Sequence, residues 1–208
     1  MALKVLVFSD FVCPFCYIGL ETMRKLAPEF GVELEWRGFE IHPEWPAEGI
    51  EAEKVYARMM SPQARVAAWQ RISAMADAAG VKMTPPARLT NSHAALMAAE
   101  YAQEEGKGEV FERRVYRAYF EEGANIGDIE ILKKLGAEAG LDAGQLAEAA
   151  RSPKYDLKLK NNALVASRHG VSGVPTFFIG DFPLVGAQSE DVMRHILTRA
   201  SERLASPQ

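Results

Sequence analysis

The chain has 208 residues, 48% of them hydrophobic, enough to bury a real core without disulfide staples, as one large domain or two small ones. Its 24 basic and 28 acidic residues leave a formal charge of -4 with no basic stripe of the sort that neutralises phosphates, so nucleic acid is not an expected partner. No apolar run reaches the roughly 20 residues that a membrane-spanning helix needs.

In chain order, Leu3-Lys4-Val5-Leu6-Val7-Phe8 has the length and β-branched, aromatic character of a buried strand. It is too short for a secretory signal and lacks a basic lead-in, long apolar core and small-residue cleavage site, so a cytoplasmic location is expected. Ser9-Asp10-Phe11-Val12-Cys13-Pro14-Phe15-Cys16-Tyr17 follows and contains the only two cysteines. Proline is tolerated in a first helical turn, so Pro14 places Cys13 at a helix N-terminus.

That position favours a thiolate, the form that attacks disulfides. Free backbone N–H groups and the partial positive charge of the helix lower a cysteine pKa from about 8.5 into a range of roughly 3.5 to 7.5. Cys16 lies about one turn further along the same face, within reach of a mixed disulfide on Cys13. The expected roles are attack by Cys13 and resolution by Cys16. A structural zinc site wants four ligands, and His42, His93, His169 and His195 show no paired spacing beside the cysteines, so no metal is expected.

Tyr17 to Phe30 reads as a helix stopping near Pro28 and Gly31, and Val32 to Trp36 alternates as a half-buried strand. The short helical crossover implies two parallel strands. Pro43 and Pro46 mark an irregular exit from this first half, and from there to about Ser152 the pattern is helical. Ser61-Pro62, Thr90-Asn91-Ser92, Asp128 and Asp142 start helices in it, and Gly80, Gly106 and Gly140 end them. Met59, Met60, Met75 and Met97 are expected in the core of this block, the sharper alternative being an adaptable apolar surface. His93 is expected to be a satisfied surface or cap residue. A helix from Tyr155 to His169 leads into Gly170-Val171-Ser172-Gly173-Val174-Pro175-Thr176-Phe177-Phe178-Ile179. Gly180-Asp181 has the pattern of a two-residue hairpin turn, Pro183 puts the second arm at a sheet edge, and Glu190 to about Leu204 forms a last helix.

Read together, these elements resemble a thioredoxin fold of the DsbA family, and more narrowly its FrnE-like branch. The resemblance is carried by Asp10 to Gly19, Trp36 to Pro43, Ala118 to Gly123, Gly170 to Phe177 and Gly186-Ala187-Gln188, almost end to end. It implies an α/β, thioredoxin-like fold with a large all-helical insertion, residues 1–43 and 153–208 forming the thioredoxin-like domain and 44–152 the inserted helical domain. It also implies a cis Val174-Pro175 peptide facing the dithiol, with Phe15, Val174 and Pro175 contacting substrate and Phe15 tuning redox poise. Pro14, Asp10 and His42 are candidate modulators. Asp10 is either a charge acting on the thiols or a solvated turn carboxylate, and Glu40 and His42 follow the second strand, where an acid and an imidazole could move protons.

The leading expectation is a cytoplasmic thiol–disulfide oxidoreductase or isomerase acting on protein or small-molecule disulfides and thiols, with no tightly bound cofactor. The first alternative resembles the kappa-class glutathione transferases and 2-hydroxychromene-2-carboxylate isomerases, which use glutathione as co-substrate but typically have serine at the position of Cys13. The second is a redox-switched chaperone or adaptor whose helical insertion holds clients. The insertion also offers a surface for a homodimer.

Overall fold

A computed structural model describes residues 2–205. Strand β1 (Leu3–Ser9) leads into helix α1 (Pro14–Phe30) and strand β2 (Val32–Gly38), and β1 and β2 pair in parallel from Leu3 opposite Val32 to Ser9 opposite Gly38. The helix begins with Pro14 in its first turn, and Pro28 lies inside its last turn, so Gly31 and not the proline ends it. Strands β3 (Ile50–Glu51) and β4 (Arg88–Leu89) are a two-residue antiparallel pair that neither alternation nor propensity announces.

Helices α2 (Ala52–Met59), α3 (Pro62–Ala79), α4 (His93–Glu104), α5 (Gly108–Phe120), α6 (Ile129–Glu138) and α7 (Ala143–Ala149) make up the rest of the segment before α8 (Pro153–Arg168). Short-range capping explains the starts of α3, α4, α6 and α7, whereas α2 and α5 begin without a side-chain cap. The side chains of Ser61, Asp128 and Asp142 accept from the N–H groups of Ala64, Glu130 and Gln145. At α4 the side chain of Asn91, and not that of Ser92, takes the N–H of His93, at 2.8 Å.

Strands β5 (Thr176–Ile179) and β6 (Phe182–Val185) and helix α9 (Glu190–Ala205) complete the chain. The sheet order is β2-β1-β5-β6, with β5 antiparallel to both neighbours. Gly180 takes φ +60 at the tip of the hairpin, the left-handed geometry that glycine adopts without a Cβ penalty. Pro183 sits on edge strand β6, where its missing N–H breaks no central ladder.

The central strand β1 is buried along nearly its whole length, and α1 packs against α9 and α3. Helix α4 lies against α5, α7, α8 and β2, so the helical segment and the sheet share one contiguous buried cluster. Aromatic rings knit the join: Tyr116 on α5 stacks on Tyr17 of α1 at 5.1 Å between centroids and meets Phe11 edge-on at 5.0 Å. Met97 is buried and Met75 half-buried as core residues, whereas Met59 is 70% exposed on α2, a helix whose only buried residue is Ala52. Among the described residues, no helix is long and apolar enough to cross a membrane.

Candidate active site

Cys13 is the N-cap of α1, in extended conformation at φ -91 and ψ 115, and the first turn of the helix carries no acidic side chain to offset its positive end. Pro14 opens the helix, and Phe15, 39% exposed, stands beside the sulfurs. Both cysteines are free thiols; Cys13 is buried to 6% exposure and Cys16 to 0%. The cis peptide Val174-Pro175 faces them, and the Cys13 Sγ thiol donates to the carbonyl of Val174 at 3.6 Å.

The approach of that loop depends on Gly19, one turn beyond Cys16. A Cβ there would lie 3.3 Å from Pro175 Cγ and 3.3 Å from Phe177 Cε2, tighter than ordinary contact. Glycine therefore lets α1 and the cis-proline loop come together over the dithiol.

The two sulfurs are pushed in opposite directions. Cys13 is lowered from its ordinary value, first by a hydrogen bond from the Cys16 thiol and then by the helix-end amides of Cys16 and Phe15, against the opposing effects of burial and the Asp10 charge. Cys16 is raised well above its ordinary value, chiefly by burial and then by its partnership with Cys13. The helix end thus contributes, but the mate sulfur leads, and the pair divides into a more acidic outer thiol and a less acidic inner one.

Asp10 is no solvated turn residue: it is fully buried. Its carboxyl accepts from the N–H of Ile41 at 2.7 Å and the N–H of Val12 at 3.3 Å, while burial pushes its pKa up to about 6. Its own N–H donates to Cys16 Sγ at 3.4 Å. The contacts of His42 lie elsewhere. Its ring stacks on Trp45 with centroids 3.7 Å apart and its Nδ1 meets Glu44 at 2.9 Å, and among the described residues no hydrogen bond or ring contact ties it to either sulfur. Glu40 holds His93 Nδ1 at 2.9 Å and Asn91 Nδ2 at 2.8 Å, bracing the start of α4.

Sequence reasoning did not single out Ser9 and Tyr116. The Ser9 hydroxyl lies 2.6 Å from the Tyr116 hydroxyl, both fully buried behind Cys16. The one signal available was a polar residue ending an otherwise apolar strand. Among the described residues, no group of three or more His, Cys, Asp or Glu is placed to hold a metal ion.

Fold and site together define a thioredoxin-like protein with a C-x-x-C dithiol at a helix start and a cis-proline loop opposite. The model of the DSBA-like thioredoxin domain matches residues 4–198, and the chain belongs to that family. It is 31% identical over 202 residues to the Bacillus subtilis protein YwbO, covering 95% of this chain and 97% of that one. It is 28% identical over 174 residues to the 2-hydroxychromene-2-carboxylate isomerase of Sphingobium xenophagum, covering 84% and 87% of the two chains. A crystal structure of a probable DsbA oxidoreductase from Streptomyces coelicolor superposes with a TM-score of 0.87 at 26% identity, covering 95% of this chain and 89% of that one.

Proposed function

We propose that this protein is a thiol–disulfide oxidoreductase of protein or small-molecule disulfides, with Cys13 as nucleophile and Cys16 as resolving thiol. The observation that carries the proposal is the placement of both cysteines at the start of α1 opposite the cis Val174-Pro175 peptide, with Cys13 Sγ 3.6 Å from the Val174 carbonyl. The Cys13 thiolate attacks one sulfur of a disulfide R–S–S–R′, forming Cys13–S–S–R and releasing R′S⁻. Cys16 then attacks Cys13 Sγ, closing the Cys13–Cys16 disulfide and releasing the second thiol, to which the Cys16 proton passes. Substrate is oxidant in this direction and the dithiol is reductant; the reverse sequence oxidises a substrate dithiol.

Phe15, Val174 and Pro175 form the contact surface, the exposed ring supplying apolar area and the Val174 backbone a polar anchor. A reducing compartment such as the cytoplasm suits the reductive direction, with glutathione as a thiol able to return the disulfide to the dithiol. The test is reduction of insulin disulfides by wild type and Cys16→Ser, with mass spectrometry of the products. Turnover by wild type and a trapped Cys13 adduct in Cys16→Ser are expected; no turnover and no adduct would overturn the proposal.

The 28% identity to a 2-hydroxychromene-2-carboxylate isomerase supports a second reading, a glutathione-dependent isomerase on the same site. Cys13 stands where such enzymes typically have serine. Under that reading purified protein isomerises the chromene substrate with glutathione and Cys13→Ser keeps the activity; under the first it does not.

A further inference from the structure

A groove of about 830 Å³ lies between α2, α3 and the Pro85-Pro86 segment, and neither the cysteines nor the cis-proline loop line it. One face of α3 forms a wall of it: Val66, Trp69, Gln70, Ser73 and Asp77 recur at helical spacing over about 16 Å. Glu53 and Tyr56 of α2 also line it, and Glu53 pairs with Arg65 at the Val66 end. The two helices bury little: Ala52 is the buried residue of α2 and Ala76 that of α3, while Val66 is 55% exposed. A concavity of this size, part aromatic and part polar, is large enough for a short stretch of peptide.

Among the described residues, the side chains of Tyr56, Trp69, Gln70, Ser73 and Asp77 make no hydrogen bond or ion pair. Those of Tyr56, Gln70 and Ser73 can both donate and accept, as the alternating N–H and C=O groups of an extended peptide require. Charge distinguishes the two ends of the groove. Asp77 lies in the last turn of α3, where the helix presents open carbonyls and partial negative charge; that turn holds no basic residue, and neither Arg71 nor Lys82 pairs with Asp77. Arg65, at the other end, is taken by Glu53. The complement of this groove is therefore a cation at the Asp77 end and an apolar side chain against Trp69 and Val66.

We infer that this groove binds an extended segment of another protein, holding an aromatic side chain against Trp69 and Val66 and a lysine or arginine at Asp77. Trp69 and Asp77 are about 12 Å apart along α3, and an extended chain rises about 3.3 Å per residue. The two anchors are therefore four residues apart in the partner, a spacing that puts both side chains on one face of an extended chain. The inference stands apart from the dithiol reading, because a peptide without cysteine suffices to occupy the groove.

The probes are fluorescein-labelled, cysteine-free peptides with phenylalanine and lysine four residues apart among glycine and serine, in both sequence orders, read by fluorescence anisotropy against the full chain. One order is expected to bind saturably, more weakly as salt rises, and about tenfold tighter than the same peptide with glutamate in place of lysine. Asp77→Lys, at an exposed position where the helix end favours a cation, is expected to reverse that preference. Ala74→Arg, also exposed, puts a long side chain into the groove and is expected to weaken binding about tenfold. No saturable binding in either order, a preference that Asp77→Lys leaves unreversed, or binding indifferent to Ala74→Arg would each overturn the inference with the dithiol reading intact. So would self-association of the wild type that Ala74→Arg abolishes, which would make a second copy of this chain the occupant.

Discussion

Replacing Asp10 by asparagine isolates the effect of a buried carboxyl on stability. Folding carries this group from water to a fully buried site, raising its pKa from 3.8 to about 6, chiefly through desolvation. An acid whose pKa is higher in the folded state binds more protons there, so its contribution to stability is greatest at low pH and falls as pH rises across that window. At about 1.36 kcal/mol per pH unit the full effect is about 3 kcal/mol, of which about 2 kcal/mol falls between pH 4.5 and pH 8.

Asp10→Asn removes the ionisation, but its single carbonyl oxygen can serve only one of the N–H groups of Val12 and Ile41, which bond to different oxygens of Asp10, at a cost of about 1–3 kcal/mol. The variant is therefore expected to be less stable than wild type at pH 4.5, with the gap closing by about 2 kcal/mol toward pH 8. Urea titrations at a series of pH values measure this directly, and the buried Glu112, pushed up to about 7, cancels because it is common to both proteins. The Cys13 thiol is also expected to become more acidic, because the Asp10 charge opposes its ionisation. A stability difference that stays constant with pH would refute the reasoning.

Gly19→Val places methyl groups where even a Cβ lies 3.3 Å from Pro175 and Phe177, and is expected to lower stability by about 1–3 kcal/mol while slowing disulfide reduction; the urea midpoint and the insulin assay check the two effects. Glu112→Ala removes the buried partner that holds Arg24 Nη2 at 2.7 Å, leaving that guanidinium only Glu21 and Glu109. A loss of about 3 kcal/mol is expected from denaturant unfolding, whereas Glu130→Ala, which breaks an exposed pair with Lys133, is expected to move the midpoint little.

The stretches readable without coordinates are those whose chemistry is local. Pro14 at a first turn, the alternation of Val32 to Trp36, Asp142 three residues before Gln145 and Gly180 in a two-residue turn each state their structure within a few residues. The position of the cysteines at a helix start belongs with them. Strands of two residues, β3 and β4, carry too few side chains to show a period, so only their pairing reveals them. The reach of Asn91 rather than Ser92 to the α4 amide turns on backbone angles that three adjacent capping residues leave open.

What the chain alone determined is therefore the dithiol, its helix and the order of elements around it. Tertiary structure decided how that dithiol is tuned. Cys13 meets Val174 across 161 residues and Ser9 meets Tyr116 across 107, distances over which no periodic pattern extends. Burial of Asp10, the unequal acidity of the sulfurs and the need for a bare Gly19 beneath Pro175 arise from which surfaces lose water when the helical segment closes on the sheet. Desolvation depends on all neighbours at once, so it is a property of the packed molecule and not of any stretch of its sequence.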